Sequence, residues 1–233
     1  MQRGARWKIC NDKVKKVYNL ICVLIIIHLG GNDMTSPKCP YCQQSLEKKP
    51  ARRTACPKCG NFIYVRQGEL VTEEESKIRD EMIRLESLLG VTRKEFDEVR
   101  EKLSKQFKTK APINDVIWKI LNKRMESLDI HVRIRALWEM ARIAGSEGRN
   151  TKPYLAQAHQ IQLKEWQREG FTEVVIMNYG RWTDEHTCPK CRELHNTKYS
   201  IASALIEMPI PNNCERDYCR CSYEPVYETR NYP

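Results

Sequence analysis

Two clusters of cysteine near the ends of a 233-residue chain limit its fold more than any other feature. The first reads Cys39-Pro-Tyr-Cys42, thirteen intervening residues, then Cys56-Pro-Lys-Cys59-Gly60. A C-x-x-C pair turns two thiolates toward one point. Two such pairs complete a tetrahedral shell for zinc, at about 2.3 Å per Zn–S bond. The spacing predicts a short zinc ribbon over residues 34–66, with Gly60 opening the backbone after the second knuckle and Phe62–Val65 as the following strand. Four thiolates close the coordination sphere. This zinc is therefore expected to fold a module too small for its own core, not to catalyse. Lys48, Lys49, Arg52 and Arg53 lie between the knuckles. With Tyr41, Phe62 and Tyr64 they read either as nucleic-acid contacts or as a solvated turn.

The second cluster is richer: His186-Thr-Cys188-Pro-Lys-Cys191, then His195, Cys214 and Cys219-Arg-Cys221. Cys188 and Cys191 form one knuckle. Cys214 and Cys219 are expected to complete the site, with Cys221 as the alternate for Cys219 and His186 and His195 as spares. The ligand set stays open, and the expected cofactor is zinc at two ions per chain. Eleven cysteines in all is an odd count, which argues against a closed set of disulfides.

Net charge is +10, of which residues 1–33 carry six basic and two acidic side chains, +4, leaving +6 on the rest. That surplus permits contact with nucleic acid or a membrane surface without requiring either. The apolar run Val17–Leu29 follows a basic start but precedes no small-x-small cleavage site. At about 1.5 Å per residue it reaches roughly 20 Å, short of a hydrocarbon core of about 30 Å. Gly30-Gly31 can be encoded by a ribosome-binding sequence, with Asn32-Asp33 as spacer. Translation is therefore expected to start at Met34, with a signal-like segment over 1–33 as the alternative; an intact mass including Met1 would overturn the later start. On that start the chain has no membrane association and resides in a host cytoplasm or a virion.

Residues 66–170 lack cysteine and read as helices, with 72–170 as the helical region. Thr72-Glu-Glu-Glu75 and Thr92-Arg-Lys-Glu95 are capping boxes, and Val91 with Phe96 forms a hydrophobic staple. Ile78, Met82, Leu85 and Leu89 make one apolar stripe; Phe96, Val99, Leu103 and Phe107 make the next. Val116, Ile117, Ile120 and Leu121 mark a third helix. Asp129 caps a fourth that ends near Gly145, and Thr151-Lys-Pro153 starts a fifth. The first two helices do not read as a DNA-binding helix-turn-helix, because Glu95, Asp97 and Glu98 suit a phosphate-lined groove poorly. Arg133, Arg135, Arg142 and Arg149 are expected to form a solvated basic face. No nucleotide-binding, nucleophile-elbow or H-E-x-x-H motif occurs, and His195-Asn196 is a weak basis for a nuclease. The chain is not expected to be an enzyme.

One segment carries a family resemblance. It runs Val174-Val-Ile-Met-Asn-Tyr-Gly-Arg-Trp-Thr183-Asp184-Glu-His-Thr187-Cys188-Pro-Lys-Cys191-Arg-Glu-Leu194, and closes with Pro209-Ile-Pro211 and Cys219-Arg-Cys221. This resembles the C-terminal region of the phage head-morphogenesis family, the phage Mu protein F-like minor head proteins. The shared pattern is a strand, an acidic residue, T-C-x-x-C, a short turn, a proline-flanked loop and a closing C-R-C. Asn196 stands where the pattern has Gly, and Cys214 replaces the His expected before C-R-C. The resemblance implies a phage or prophage minor structural protein that acts in capsid assembly or DNA packaging, with capsid or portal proteins as partners. The runner-up expectation is a zinc-ribbon nucleic-acid-binding adaptor or regulator. The expected fold is mainly α: a helical bundle flanked by an N-terminal zinc ribbon and a small C-terminal α+β cysteine-rich module over 171–233.

Overall fold

A computed structural model describes residues 36–178, 187–216 and 218–227. Segment 1–33 and His186 lie outside the described residues. The chain is about half helical with two small sheets, and it divides into two compact units at Ser76. Among the described residues no helix is long and apolar enough to cross a membrane.

The first unit is built on β1 (Thr54–Ala55), β2 (Phe62–Arg66) and β3 (Glu69–Val71), an antiparallel sheet in the order β1-β2-β3. Gln67 and Gly68 join β2 to β3 with φ of +51° and +77°, the twist that a two-residue hairpin needs. That hairpin and β3 interrupt a stretch expected to be helical. Cys39, Leu46, Cys56 and Ile63 are the buried centre of this unit. So few apolar side chains do not stabilise a fold alone, which makes the sulfurs structurally central.

The second unit carries all but the first turn of α1 (Glu73–Leu89), with α2 (Arg93–Phe107), α3 (Ile113–Arg124), α4 (Ile130–Ser146) and α5 (Lys152–Arg168). The caps form where the sequence puts them. Thr72 and Thr92 hydroxyls accept from the N–H of Glu75 and Glu95, both at 3.2 Å, and Asp129 accepts from His131 at 2.8 Å. Helix α5 starts where Thr151-Lys-Pro153 puts it, and the Asn150 side chain accepts from Lys152 N–H at 3.0 Å. Helix α4 ends at Ser146, near Gly145 as expected, and Gly148 follows in the left-handed conformation.

Ile78, Leu85, Val91, Phe96, Ile117, Ile120 and Leu137 meet in one core. Ala141, Leu155 and Leu163, from α4 and α5, join Val174, Ile176, Tyr223 and the second set of cysteines in another. The C-terminal module therefore shares a core with the helices. Its sheet has β4 (Glu173–Asn178) between β5 (Lys198–Ser200) and β6 (Cys221–Pro225), all antiparallel. Two short helices, α6 (Pro189–Glu193) and α7 (Ile201–Glu207), complete it.

The basic sector is a correction. Arg142 is held by Glu81 at 2.6 Å and by Glu139 at 2.7 Å, and Glu139 is only 5% exposed. Arg135 donates to the Leu88 carbonyl, and Arg149 stacks 4.5 Å from the Trp118 ring centroid. Arg142 is committed to internal partners, while Arg135 and Arg149 remain exposed, so the solvated basic face forms only in part.

His159 lies at the junction of α5 and the C-terminal sheet. Its ring stands edge-on between Trp138 at 5.2 Å and Tyr223 at 5.1 Å, and neither nitrogen has a hydrogen-bond partner among the described residues. Burial disfavours the imidazolium and pushes the pKa down from 6.5 to about 4. The unfolded chain takes up this proton near pH 6.5, while the folded chain resists until about pH 4. The stability held by neutral His159 is thus complete above pH 6.5 and lost as pH falls toward 4. His159→Phe is predicted to retain about 2 kcal/mol that the native chain loses between pH 7 and pH 5. Chemical denaturation at the two pH values reads this directly, and an equal loss in both proteins would contradict it.

Candidate metal centres

In the first unit the two knuckles repeat one backbone pattern. The carbonyl of Cys39 accepts from Gln43 N–H, and that of Cys56 accepts from Gly60 N–H, both at 2.9 Å. The residue after each second cysteine is left-handed, Gln43 at φ +61° and Gly60 at φ +76°. Glycine takes that conformation without strain, which makes the left-handed turn after the second knuckle visible in sequence and the one after the first not.

This geometry brings Cys39 Sγ within 3.8 Å of Cys59 Sγ, and Cys42 Sγ within 3.9 Å of Cys56 Sγ. Ligands at about 2.3 Å in a tetrahedron are about 3.8 Å apart, so the sulfurs already stand at zinc spacing. N–H groups of Cys59 and Lys58 pull the Cys56 thiol pKa down from 9.0 to about 7. At Cys42 the Gln44 N–H lowers the pKa, but burial and the neighbouring sulfurs outweigh it and push the value to about 11. One sulfur ionises readily and its neighbours then resist a second negative charge. A divalent cation removes that repulsion, so the donor set fits a metal ion.

The second cluster is assembled from four places. Cys188 caps α6 and accepts from Cys191 N–H at 3.3 Å. After Leu194 the chain turns through left-handed Asn196, at φ +63°, and rejoins β4 by Asn196 N–H to the Ile176 carbonyl at 2.8 Å. Asparagine there performs the turn expected of glycine. The Pro209–Asn212 turn, with a cis Ile210–Pro211 bond, then delivers Cys214, whose N–H donates to the Pro211 carbonyl. Cys221 opens β6 two residues after Cys219.

Cys188 and Cys214 are 3.9 Å apart, as are Cys191 and Cys219. The five sulfurs form two overlapping triads, Cys188/Cys191/Cys214 and Cys191/Cys219/Cys221. A void of about 10 Å³ is lined by Cys188, Cys191, Cys214 and Cys221. The cross-knuckle distance favours Cys219 as the fourth ligand and the void favours Cys221; both are in reach. Burial raises the Cys188 pKa, yet N–H donors from Glu215 and Cys191 bring it below the ordinary value. The Cys191 sulfur, with burial, pushes Cys214 to about 11 and Cys221 to about 12. Both clusters could hold a metal ion, and thiolate-only donors are consistent with zinc.

His195 is in neither triad. Its Nδ1 accepts from Asn178 N–H at 3.1 Å and ties the knuckle to the end of β4. Lys48, Lys49, Arg52 and Arg53 are exposed on the ribbon. Of these, Arg53 stacks over Phe62 at 4.0 Å and lies 5.4 Å from the Tyr64 centroid, a pairing with no mark in the sequence. Tyr41 is drawn off this group, its hydroxyl accepting from Glu73 N–H at 2.8 Å. The chain matches no family model, no curated protein and no solved structure.

Because Cys219 and Cys221 both reach Cys191, Cys219→Ala and Cys221→Ala are each predicted to keep the second ion, and the double substitution to lose it. Metal content by elemental analysis checks this. Loss in one single variant and not the other would fix that residue as the sole fourth ligand.

Proposed function

We propose that the chain is a non-catalytic, zinc-stabilised structural protein of the phage head-morphogenesis type, holding two zinc ions and binding capsid or portal proteins during head assembly or DNA packaging. The supporting observation is the C-terminal module. Strand β4, the T-C-x-x-C knuckle, the left-handed turn at Asn196, the proline turn and Cys219-Arg-Cys221 converge on one buried cluster. These are the parts that carry the resemblance. Cys188, Cys191, Cys214, Cys219 and Cys221 are each 3% exposed or less, a setting for a metal that braces a surface. The test is mass spectrometry of DNA-filled particles purified after DNA-damage induction of the source cells. Peptides of the chain in those particles support the reading. Their absence from particles, with the chain abundant in the same cells, contradicts it.

A second reading, a nucleic-acid-binding adaptor, draws support from the ribbon. Arg53 on Phe62, beside Tyr64 and the exposed Lys48, Lys49 and Arg52, joins stacking surface to positive charge. On this reading the full chain binds single-stranded DNA with a salt slope that drops by about 2 in Lys48→Ala/Lys49→Ala. Absence of binding at low salt removes it.

A further inference from the structure

Helix α2 does not bury the face that its periodicity defines. Of Phe96, Val99, Leu103 and Phe107 only Phe96 is buried; Phe107 is 43% exposed, and Val99 and Leu103 are half-buried. With Ile120 of α3, Val99 and Leu103 floor an open groove of about 440 Å³ between α2 and α3. Past Leu103 and Lys119 the groove continues between Phe107 and Trp118 for about 400 Å³ more. The floor from Val99 to Phe107 is about 12 Å long at 1.5 Å per residue, a little over two helical turns.

The lips of the first trough are basic. Lys102 stands on the α2 side and Lys119 and Lys123 on the α3 side, against the single acid Glu126. Lys102 and Lys119 have no ion-pair partner among the described residues, and Lys123 reaches Glu95 only at 3.9 Å. An apolar floor between two cationic lips selects an occupant that is apolar below and acidic on both flanks. A second copy using the same groove sets lysine against lysine. Segment 1–33 of this chain, at +4, carries the wrong sign.

We propose that the α2–α3 groove docks an acidic amphipathic helix of a partner protein. Its apolar side chains at i, i+3, i+4 and i+7 lie on Val99, Leu103 and Phe107, while its flanking carboxylates meet Lys102 on one lip and Lys119 and Lys123 on the other. This inference does not depend on the phage reading.

The test uses the zinc-loaded full chain and two fluorescein-labelled synthetic peptides of about 18 residues, long enough to span the groove as a helix. Both have leucine at the i, i+3, i+4, i+7 positions; one carries glutamate at the flanks and its twin lysine. Fluorescence anisotropy is expected to show the glutamate peptide binding roughly tenfold or more tightly than its twin. Lys102→Glu/Lys119→Glu, with an unchanged circular dichroism spectrum, is expected to reverse that preference. Equal binding of the two peptides, no binding of either, or a preference unaltered in the variant overturns the proposal. A dimer of the native chain that Leu103→Asp dissociates also overturns it, by giving the groove to a second copy.

Discussion

The constraint on which the rest depends is the crowding of cysteine sulfurs twice in one chain, four at one point in the ribbon and five, in two overlapping triads, in the C-terminal module. Thiols at separations of 3.8–3.9 Å are poor neighbours once ionised, and the opposed pKa shifts at Cys56 and Cys42 express that conflict. Backbone N–H groups relieve it in part. In each cluster they bring one sulfur below the ordinary value, Cys56 in the ribbon and Cys188 in the C-terminal module. A divalent cation would relieve the remainder, and its binding would then be linked to the folding of the modules.

The two clusters stand in different settings. The ribbon has a centre of only four buried residues, two of them cysteines, and leaves Cys59 exposed. The second cluster is embedded in a core to which α4 and α5 contribute Ala141, Leu155 and Leu163. The second module therefore has support besides any metal ion, whereas the ribbon has little else to hold it. The second cluster has a sulfur to spare, since Cys219 and Cys221 both lie beside Cys191.

Much of this was legible locally. The two knuckles, the Thr92 and Asp129 caps, the Val91–Phe96 staple and the turn at Asn196 are short-range devices whose residues lie within a few positions of one another. What was not legible depends on partners far away in sequence. Arg142 was expected in solvent and instead meets Glu81, 61 residues earlier. Periodicity marked the α2 stripe as amphipathic but could not say how much of it another element covers. The Gln67-Gly68 hairpin and the left-handed Gln43 were hidden for another reason. Glutamine rarely takes positive φ, so the usual glycine or asparagine signal was missing. Choosing among the three distal sulfurs also needed the fold, because the proline turn alone brings Cys214 to the knuckle.

The central claim is that each cluster holds one zinc ion by sulfur alone. X-ray absorption at the zinc edge on the purified full chain, combined with its metal content, measures this most directly. The account predicts two zinc ions per chain and an average first shell of four sulfurs at about 2.3 Å. A shell containing nitrogen or oxygen, or a single ion per chain, would contradict it.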